Sequence, residues 1–316
     1  MRSSILVAAV AVALAAGGCA RPSVPLSTQE TKTFPAAPGK LVRFDVRSLD
    51  VEVEVAPASA ITATVEVDAR SSSRAAARRW VETHTPAFED SADTLEVRQG
   101  ARRSGIVIFG YLNAKARVKV TIPPGCRLEI RTTSGDVAVA GDATVTGPVR
   151  ITTTSGDVKV TGGLKELIVK ASSGDVVVRR QALTALEADT TSGDVTLESG
   201  SERTIVGTTS GGIRLENLTG ALSADASSGE VAASWSSVPA DAKLRVRTTS
   251  GDVRLRIPEG AVLRGRISTS SGTIRSDLKG GTSDRREHEL LLDATGPAAE
   301  LDVRTSSGDV SVHTHP

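Results

Sequence analysis

The sequence predicts an all-β chain. Its larger part is a parallel β-solenoid (β-helix) with coils of about 18–21 residues, preceded by an N-terminal β-rich cap carrying one short helix. Three observations predict it. The phrase Thr-Ser-Gly-Asp-Val at 133–137 recurs with variations to the end of the chain, its glycine falling at 135, 156, 174, 193, 211, 229, 251, 272 and 308. Two residues after each glycine stands a β-branched residue, from Val137 through Val158, Val176, Val195, Ile213, Val231, Val253 and Ile274 to Val310. Aromatic residues make up 2% of the 316, so the core must be thin layers of Val, Ile, Leu, Thr and Ala rather than rings.

The repeat dictates the geometry of one coil. A period near 18 is too short for a helical hairpin or a propeller blade and suits two short strands bent at Ser-Gly-Asp. Side chains alternate across a strand, so the columns five and seven residues before the glycine point inward with the one after it. The column at minus seven is Leu128, Val149, Leu167, Leu186, Thr204, Leu222, Leu244, Gly265 and Leu301, aliphatic except at Thr204 and Gly265. Gly135, Gly156, Gly174, Gly193, Gly229, Gly251 and Gly308 are the structural turn residues, expected to take a positive φ, with the neighbouring Thr and Ser columns forming hydroxyl ladders. The interval from 272 to 308 is 36, twice 18, which predicts an intervening coil that has lost its signature near Glu289-Leu290-Leu291-Leu292.

From the start of the chain, Arg2, the apolar run Ile5–Ala16 and Ala16-Gly17-Gly18-Cys19 form an export signal. A dozen apolar residues cannot span a bilayer, which takes about 20, so residues 1–18 are expected to be removed. The segment resembles a bacterial lipoprotein signal, which implies lipidation of Cys19, although Ala16 stands where Leu is commonest. The alternative is plain secretion with cleavage after Ala20. Residues 19–38, with Pro22, Pro25, Pro35 and Pro38, read as an extended tether.

Residues 39–122 read as strands plus a capping helix. Val42, Phe44, Leu49, Val51 and Val53 fall into the later register with Leu49 in the glycine's place, a degenerate first copy. Residues 61–68, 94–98 and 116–122 alternate with period two, and Ser71-Ser72-Ser73 can cap a helix from Arg74 to about Thr83 with Ala77, Trp80, Val81 and His84 on one face. Gly105–Leu112 is the most apolar stretch after the leader and reads as a cap or a contact surface. Residues 123–316 are the solenoid proper.

The repeated charge is the residue after glycine: Asp136, Asp157, Asp175, Asp194, Asp252 and Asp309, interrupted by Gly212, Glu230 and Thr273. Stacked carboxylates at coil spacing repel by about 1 kcal/mol per pair in water, so something must offset them. The simplest offset is hydrogen bonds from the turn's own N–H groups. A Ca²⁺ ladder on Asp136, Asp157, Asp175 and Asp194 is the sharper candidate, but each coil supplies one acid where the ion needs six or more oxygens.

Other chemistry is poorly supported. His84, His288, His313 and His315 are scattered, and Cys126 has no histidine near it in sequence and reads as a half-buried turn residue. Phosphate-loop and dinucleotide fingerprints are absent, and no cofactor is expected. The net charge of +1, with signs well mixed, gives no case for nucleic acid. Trp235 is the only aromatic residue after 126, so a bound glycan would need polar contacts alone or the N-terminal cap.

The Thr-Ser-Gly-Asp-Val phrases at 133–137, 154–158, 191–195 and 249–253, behind an export leader, resemble the bacterial putative-adhesin domain family, a family of unknown function, over roughly 39–316. The resemblance implies a β-solenoid at the cell envelope and supplies no catalytic residue. The leading expectation is a non-catalytic, lipid-anchored protein of the bacterial cell envelope, on the outer membrane or periplasmic face if the cell is Gram-negative, with a secreted or periplasmic protein as the alternative. It would act as an adhesin, interaction surface or scaffold with an envelope protein or glycan partner. The alternatives are a protein binding or acting on envelope polysaccharide, with Asp157, Asp175 and Asp194 on the working face, and a self-assembling solenoid. The sequence leaves the oligomeric state open.

Overall fold

The computed structural model describes residues 24–100, 112–179, 182–278, 281–283 and 288–316. The leader, Cys19 and most of the apolar stretch at 105–112 lie outside the described residues. The chain divides into two compact units, Met1–Gly156 and Asp157–Pro316.

The first unit contains β1 (Val24–Pro35), β2 (Leu41–Asp45), β3 (Asp50–Val55), β4 (Ala60–Ser71), α1 (Arg74–His84), β5 (Ala87–Asp90) and β6 (Thr94–Arg98). It continues with β7 (Leu112–Ile122), β8 (Arg127–Arg131), β9 (Val137–Gly141) and β10 (Val149–Thr153). Within it the strands lie in the orders β1-β4-β7-β3-β9 and β10-β8-β2-β6-β5. The register pairs Val42 with Leu128, Phe44 with Ile130 and Val51 with Val137, which puts Leu49 in the glycine column.

Two features depart from expectation. Residues 24–35, expected within the tether, form β1, paired antiparallel with β4 over its whole length. Leu26, Thr28 and Glu30 alternate with the more exposed Pro25, Ser27 and Gln29, and the extended backbone of Pro25 and Pro35 fits an edge strand with twelve ladder partners. In addition, β6 and β7 run parallel to β2 and β3 as a coil of their own. The degenerate first copy is therefore an interior coil, between β6/β7 and β8/β9. Helix α1 packs on β4 through buried Ala77 and Val81, and Ser73 accepts from the Ala76 N–H as its N-cap.

The second unit contains β11 (Val158–Val160), β12 (Glu166–Ser173), β13 (Val176–Val178), β14 (Leu183–Ser192), β15 (Val195–Leu197), β16 (Ser201–Ser210), β17 (Ile213–Leu218) and β18 (Ala221–Ser228). It continues with β19 (Val231–Trp235), β20 (Lys243–Ser250), β21 (Val253–Pro258), β22 (Leu263–Ser271), β23 (Ile274–Ser276), β24 (Gly281–Ser283), β25 (Glu289–Leu292), β26 (Ala299–Ser307) and β27 (Val310–His315). The orders are β11-β13-β15-β17-β19-β21-β27-β23 and β24-β25-β22-β26-β20-β18-β16-β14-β12. The inward column is realised as read: Leu167, Leu186, Thr204, Leu222, Leu244 and Leu301 stack in register and are buried. Gly265 interrupts it because a Cβ there would lie 2.0 Å from the Leu301 carbonyl oxygen.

The interval of 36 hides no lost coil. β25 pairs antiparallel with β22 at the end of the stack, and the chain then returns so that β26/β27 insert between β20/β21 and β22/β23. The last coil in sequence is an interior coil in space. The histidine-bearing tail is consequently the inner strand β27.

The turn glycines also have a different cause from the one expected. Of the nine, only Gly174, Gly229 and Gly272 have positive φ, at 148°, 159° and 155°. What eight of them share, all but Gly174, is contact. A Cβ on Gly156 would lie 2.0 Å from the Gly135 carbonyl oxygen, one on Gly193 2.2 Å from that of Gly174, and one on Gly251 2.0 Å from that of Gly229. Gly272 meets Gly308 at 2.1 Å, following spatial rather than sequence order. The threonines three residues earlier serve the same bend. Thr132 and Thr153 accept from the N–H of Gly135 and Gly156, while Thr269 and Thr305 donate to the carbonyls of Gly308 and Gly251. These four hydroxyls bond to backbone, whereas the buried hydroxyls of Thr190, Thr208 and Thr248 in the same column have no hydrogen-bond partner among the described residues, so the column does not form a hydroxyl ladder.

Gly193→Ala should destabilise the protein by about 3 kcal/mol, the upper range for forced overpacking. Gly212→Ala, where the nearest atom is 3.6 Å from the added carbon, should be nearly neutral in the same urea titration. Amide exchange provides a second check: residues 299–312 should exchange as slowly as 244–257 and more slowly than the edge strand 274–276.

Candidate functional site

Two places carry the chemistry, and the first is the aspartate column. Each carboxylate accepts from the backbone N–H at the same position of the next coil. In the second unit Asp157 accepts from Asp175, Asp175 from Asp194 and Asp194 from Gly212, at 2.9, 2.9 and 2.7 Å. Farther along, Asp252 accepts from Asp309 and Asp309 from Thr273, at 3.0 and 2.8 Å. In the first unit Asp50 accepts from Asp136 at 3.2 Å.

The bond therefore runs between coils, not within the turn as expected, because stacking brings the next N–H directly over each carboxylate. Glu230 breaks the pattern: Gly212 has no side chain to offer it, and its carboxylate pairs with Arg254 instead. No group of three or more His, Cys, Asp or Glu that could hold a metal ion occurs among the described residues.

The second place is a cavity of about 920 Å³ in the first unit, lined by Arg47, Asp50, Trp80, His84, Lys115 and Asp136 together with Ser, Thr and Gln side chains. Its origin is local. In a regular turn the N–H groups of Thr133 and Ser134 donate to the Arg47 carbonyl of the coil beside them, at 3.2 and 2.7 Å. On the other side of that coil, the N–H groups of Arg47 and Ser48 donate at 2.7 and 3.0 Å to Oε1 of the buried Gln99 side chain. One amide oxygen thus does the work of a turn carbonyl. Trp80 and His84, four residues apart on α1, stack with ring centroids 4.0 Å apart and planes at 13°, and His84 Nδ1 lies 2.8 Å from the Trp80 carbonyl oxygen.

The remaining candidates are placed as follows. Cys126 is fully buried, not half-buried, and burial raises its thiol pKa despite the opposing charge of Lys40. His313 faces Asp277 at 3.5 Å and His315 the Trp235 carbonyl at 2.8 Å, while His84 belongs to the other unit. Trp235 is buried, its indole N–H donating to Gly220, so it offers no ring to a glycan. The outward columns are largely ion-paired, with Asp302 meeting Arg245, Arg247 and Arg304. Sequence reasoning placed Trp80 and His84 on one helix face but did not join them to Arg47 and Asp50.

Comparison with known proteins places the fold in a family. The family model described as Toastrack DUF4097 matches residues 41–313. The chain belongs to the Toastrack DUF4097 family. Its members' name describes a fold and no activity, and no curated protein matches this chain. Among solved structures the Toastrack chain is similar to a protein described as a putative adhesin from Parabacteroides distasonis, at 14% identity and a TM-score of 0.45, covering 90% of this chain and 97% of that one. It is similar also to one so described from Parabacteroides merdae, at 14% identity and 0.43, covering 90% and 95%. A third, described as a putative lipid binding protein from Parabacteroides distasonis, matches at 14% identity and 0.41, covering 91% and 97%.

Asp309 has a measurable pH signature. The N–H and hydroxyl of Thr273, helped by Arg275, hold the Asp309 carboxyl below the usual aspartate range. A lowered folded pKa means that its contribution is complete above the unfolded value of about 3.9 and is lost as pH falls through the folded one. Asp309→Asn should therefore melt below the wild type at pH 7, and the gap should close as the pH is taken below about 4.

Proposed function

We propose that the chain is a lipid-anchored, non-catalytic cell-envelope β-solenoid that serves as an adhesin-like interaction surface or structural scaffold. The observation that carries this reading is the use made of the repeated carboxylates. In the second unit Asp157, Asp175, Asp194, Asp252 and Asp309 are each committed to the N–H of the next coil, so these carboxylates belong to the framework. What the coils present outward is a stiff, regular surface of mixed charge, suited to display rather than turnover.

The leader supplies the address. A positive Arg2, the apolar run from Ile5 and the small residues before Cys19 support export followed by acylation of Cys19. One acyl chain binds a membrane only marginally, whereas two or more anchor it firmly. With β1 beginning at Val24, no more than about 18 Å of extended chain separates Cys19 from the first strand. The anchor would hold the first unit close to the bilayer surface rather than on a long tether. Among the described residues no helix is long and apolar enough to cross a membrane, so the lipid carries the attachment.

Cys19→Ser decides the anchor. The wild-type protein should sediment with membranes and yield an acylated N-terminal peptide by mass spectrometry, and the variant should move to the soluble fraction. A soluble wild-type protein beginning at Arg21 would establish plain secretion instead.

A further inference from the structure

We infer that the cavity of the first unit is a saccharide-binding site. The inference goes beyond the scaffold reading and holds whether or not Cys19 carries lipid. It starts from the lining. A volume of about 920 Å³ lies within the range of small-molecule sites, of order 300–1,000 Å³. The walls are mainly charged, hydroxyl and amide groups with the small Ala114 and Ala116, and they carry one aromatic feature, the stacked Trp80 and His84 rings. That combination suits a ligand with one apolar face and many hydroxyls, as a pyranose has. Its axial C–H bonds can lie on a ring face, and its hydroxyls can donate to Asp50 and accept from Arg47 and Lys115.

Other ligand classes fit less well. An apolar ligand would desolvate the Arg47 and Lys115 cations without giving either a partner. A phosphate would meet Asp50 and Asp136 as well as the two cations. A peptide added as a strand needs an open edge, and β7, which brings Lys115 to the cavity, is hydrogen-bonded on both edges, to β3 and β4. Arg47 and Lys115 make no ion pair among the described residues, unlike neighbouring Arg43, Arg117 and Lys119, so a sugar carboxylate could also be met there. The shared chemistry is a pyranose, neutral or uronic.

The site carries its own reporter. The chain has two tryptophans, and Trp235 is buried with its N–H bonded, so a change in indole emission on titration reports Trp80. The test uses the full-length protein with chito-, cello- and polygalacturonate tetrasaccharides, each followed by fluorescence and calorimetry. The expected result is saturable binding of at least one, with a dissociation constant of about 0.01–1 mM. Trp80→Leu should weaken it about tenfold or more by calorimetry at an unchanged melting temperature, equivalent to at least about 1.4 kcal/mol. Lys115→Ala and Arg47→Ala should weaken a uronic ligand most, whereas Arg254→Ala, in the other unit, should leave affinity unchanged. Absence of heat and emission change with all three sugars, binding insensitive to Trp80→Leu, or a response to phosphatidylglycerol vesicles alone would each overturn the inference.

Discussion

The constraint on which the structure depends is the distance between successive coils at the bend. Parallel strands stack at about 4.8 Å, and at the Ser-Gly-Asp turn this puts one coil's carbonyl oxygen where the next coil's Cβ would be. Glycine is therefore a packing requirement. The closeness that excludes a side chain at the glycine also brings the following N–H within reach of the carboxylate one coil back. That N–H is charge-assisted in its bond, which offsets the repulsion of stacked acids. Gly, Asp and the Thr three residues before the glycine are thus three consequences of one spacing.

The same constraint governs how each unit ends. In the second unit the aspartate relay runs from Asp252 through Asp309 to Thr273, and the glycine contacts run from Gly251 through Gly308 to Gly272. The inserted coil satisfies both rules as fully as coils that are consecutive in sequence. Its strands gain hydrogen bonds on both edges, while the terminal coil is left with the three-residue β23 and the antiparallel β25. Short edge strands and antiparallel covering are the devices by which sheets avoid templating another chain. In the first unit β2/β3 is likewise interior, and the outer side belongs to β6/β7 and the antiparallel β1 and β4.

The columns were legible because every coil obeys one register, so residues that stack in space recur at fixed offsets in sequence. Val137, Leu186 and Leu49 are placed as the alignment put them. The order of coils was not legible, since identical columns do not say which neighbour a coil has, and an interval of 36 fits two coils as well as a hairpin and a return. The role of glycine was half legible. Its recurrence was plain, but the sequence does not distinguish a backbone angle from a missing Cβ that makes room. The cavity was hardest to see, because Arg47, Trp80, Gln99 and Lys115 follow no shared period; only the pairing of Trp80 with His84 on one helix face hinted at it.

Gln99 connects the fold to the cavity. In the second unit, where regular coils stack at Thr190, Thr208 and Thr248, the cavity beside the bends is about 470 Å³, roughly half of the one beside Gln99 in the first unit. At Arg47 and Ser48 both N–H groups are paired by a single side-chain oxygen, Oε1 of Gln99. Buried donors stay satisfied, so the opening costs little in hydrogen bonding. The helix then brings Trp80 and His84 to the gap. Gly212 also interrupts the column, but it only removes the acceptor facing the Glu230 N–H, and the Glu230 carboxylate pairs with Arg254 at the surface. A binding site in this fold is expected where a side chain substitutes for a turn, not where a ladder residue is merely missing.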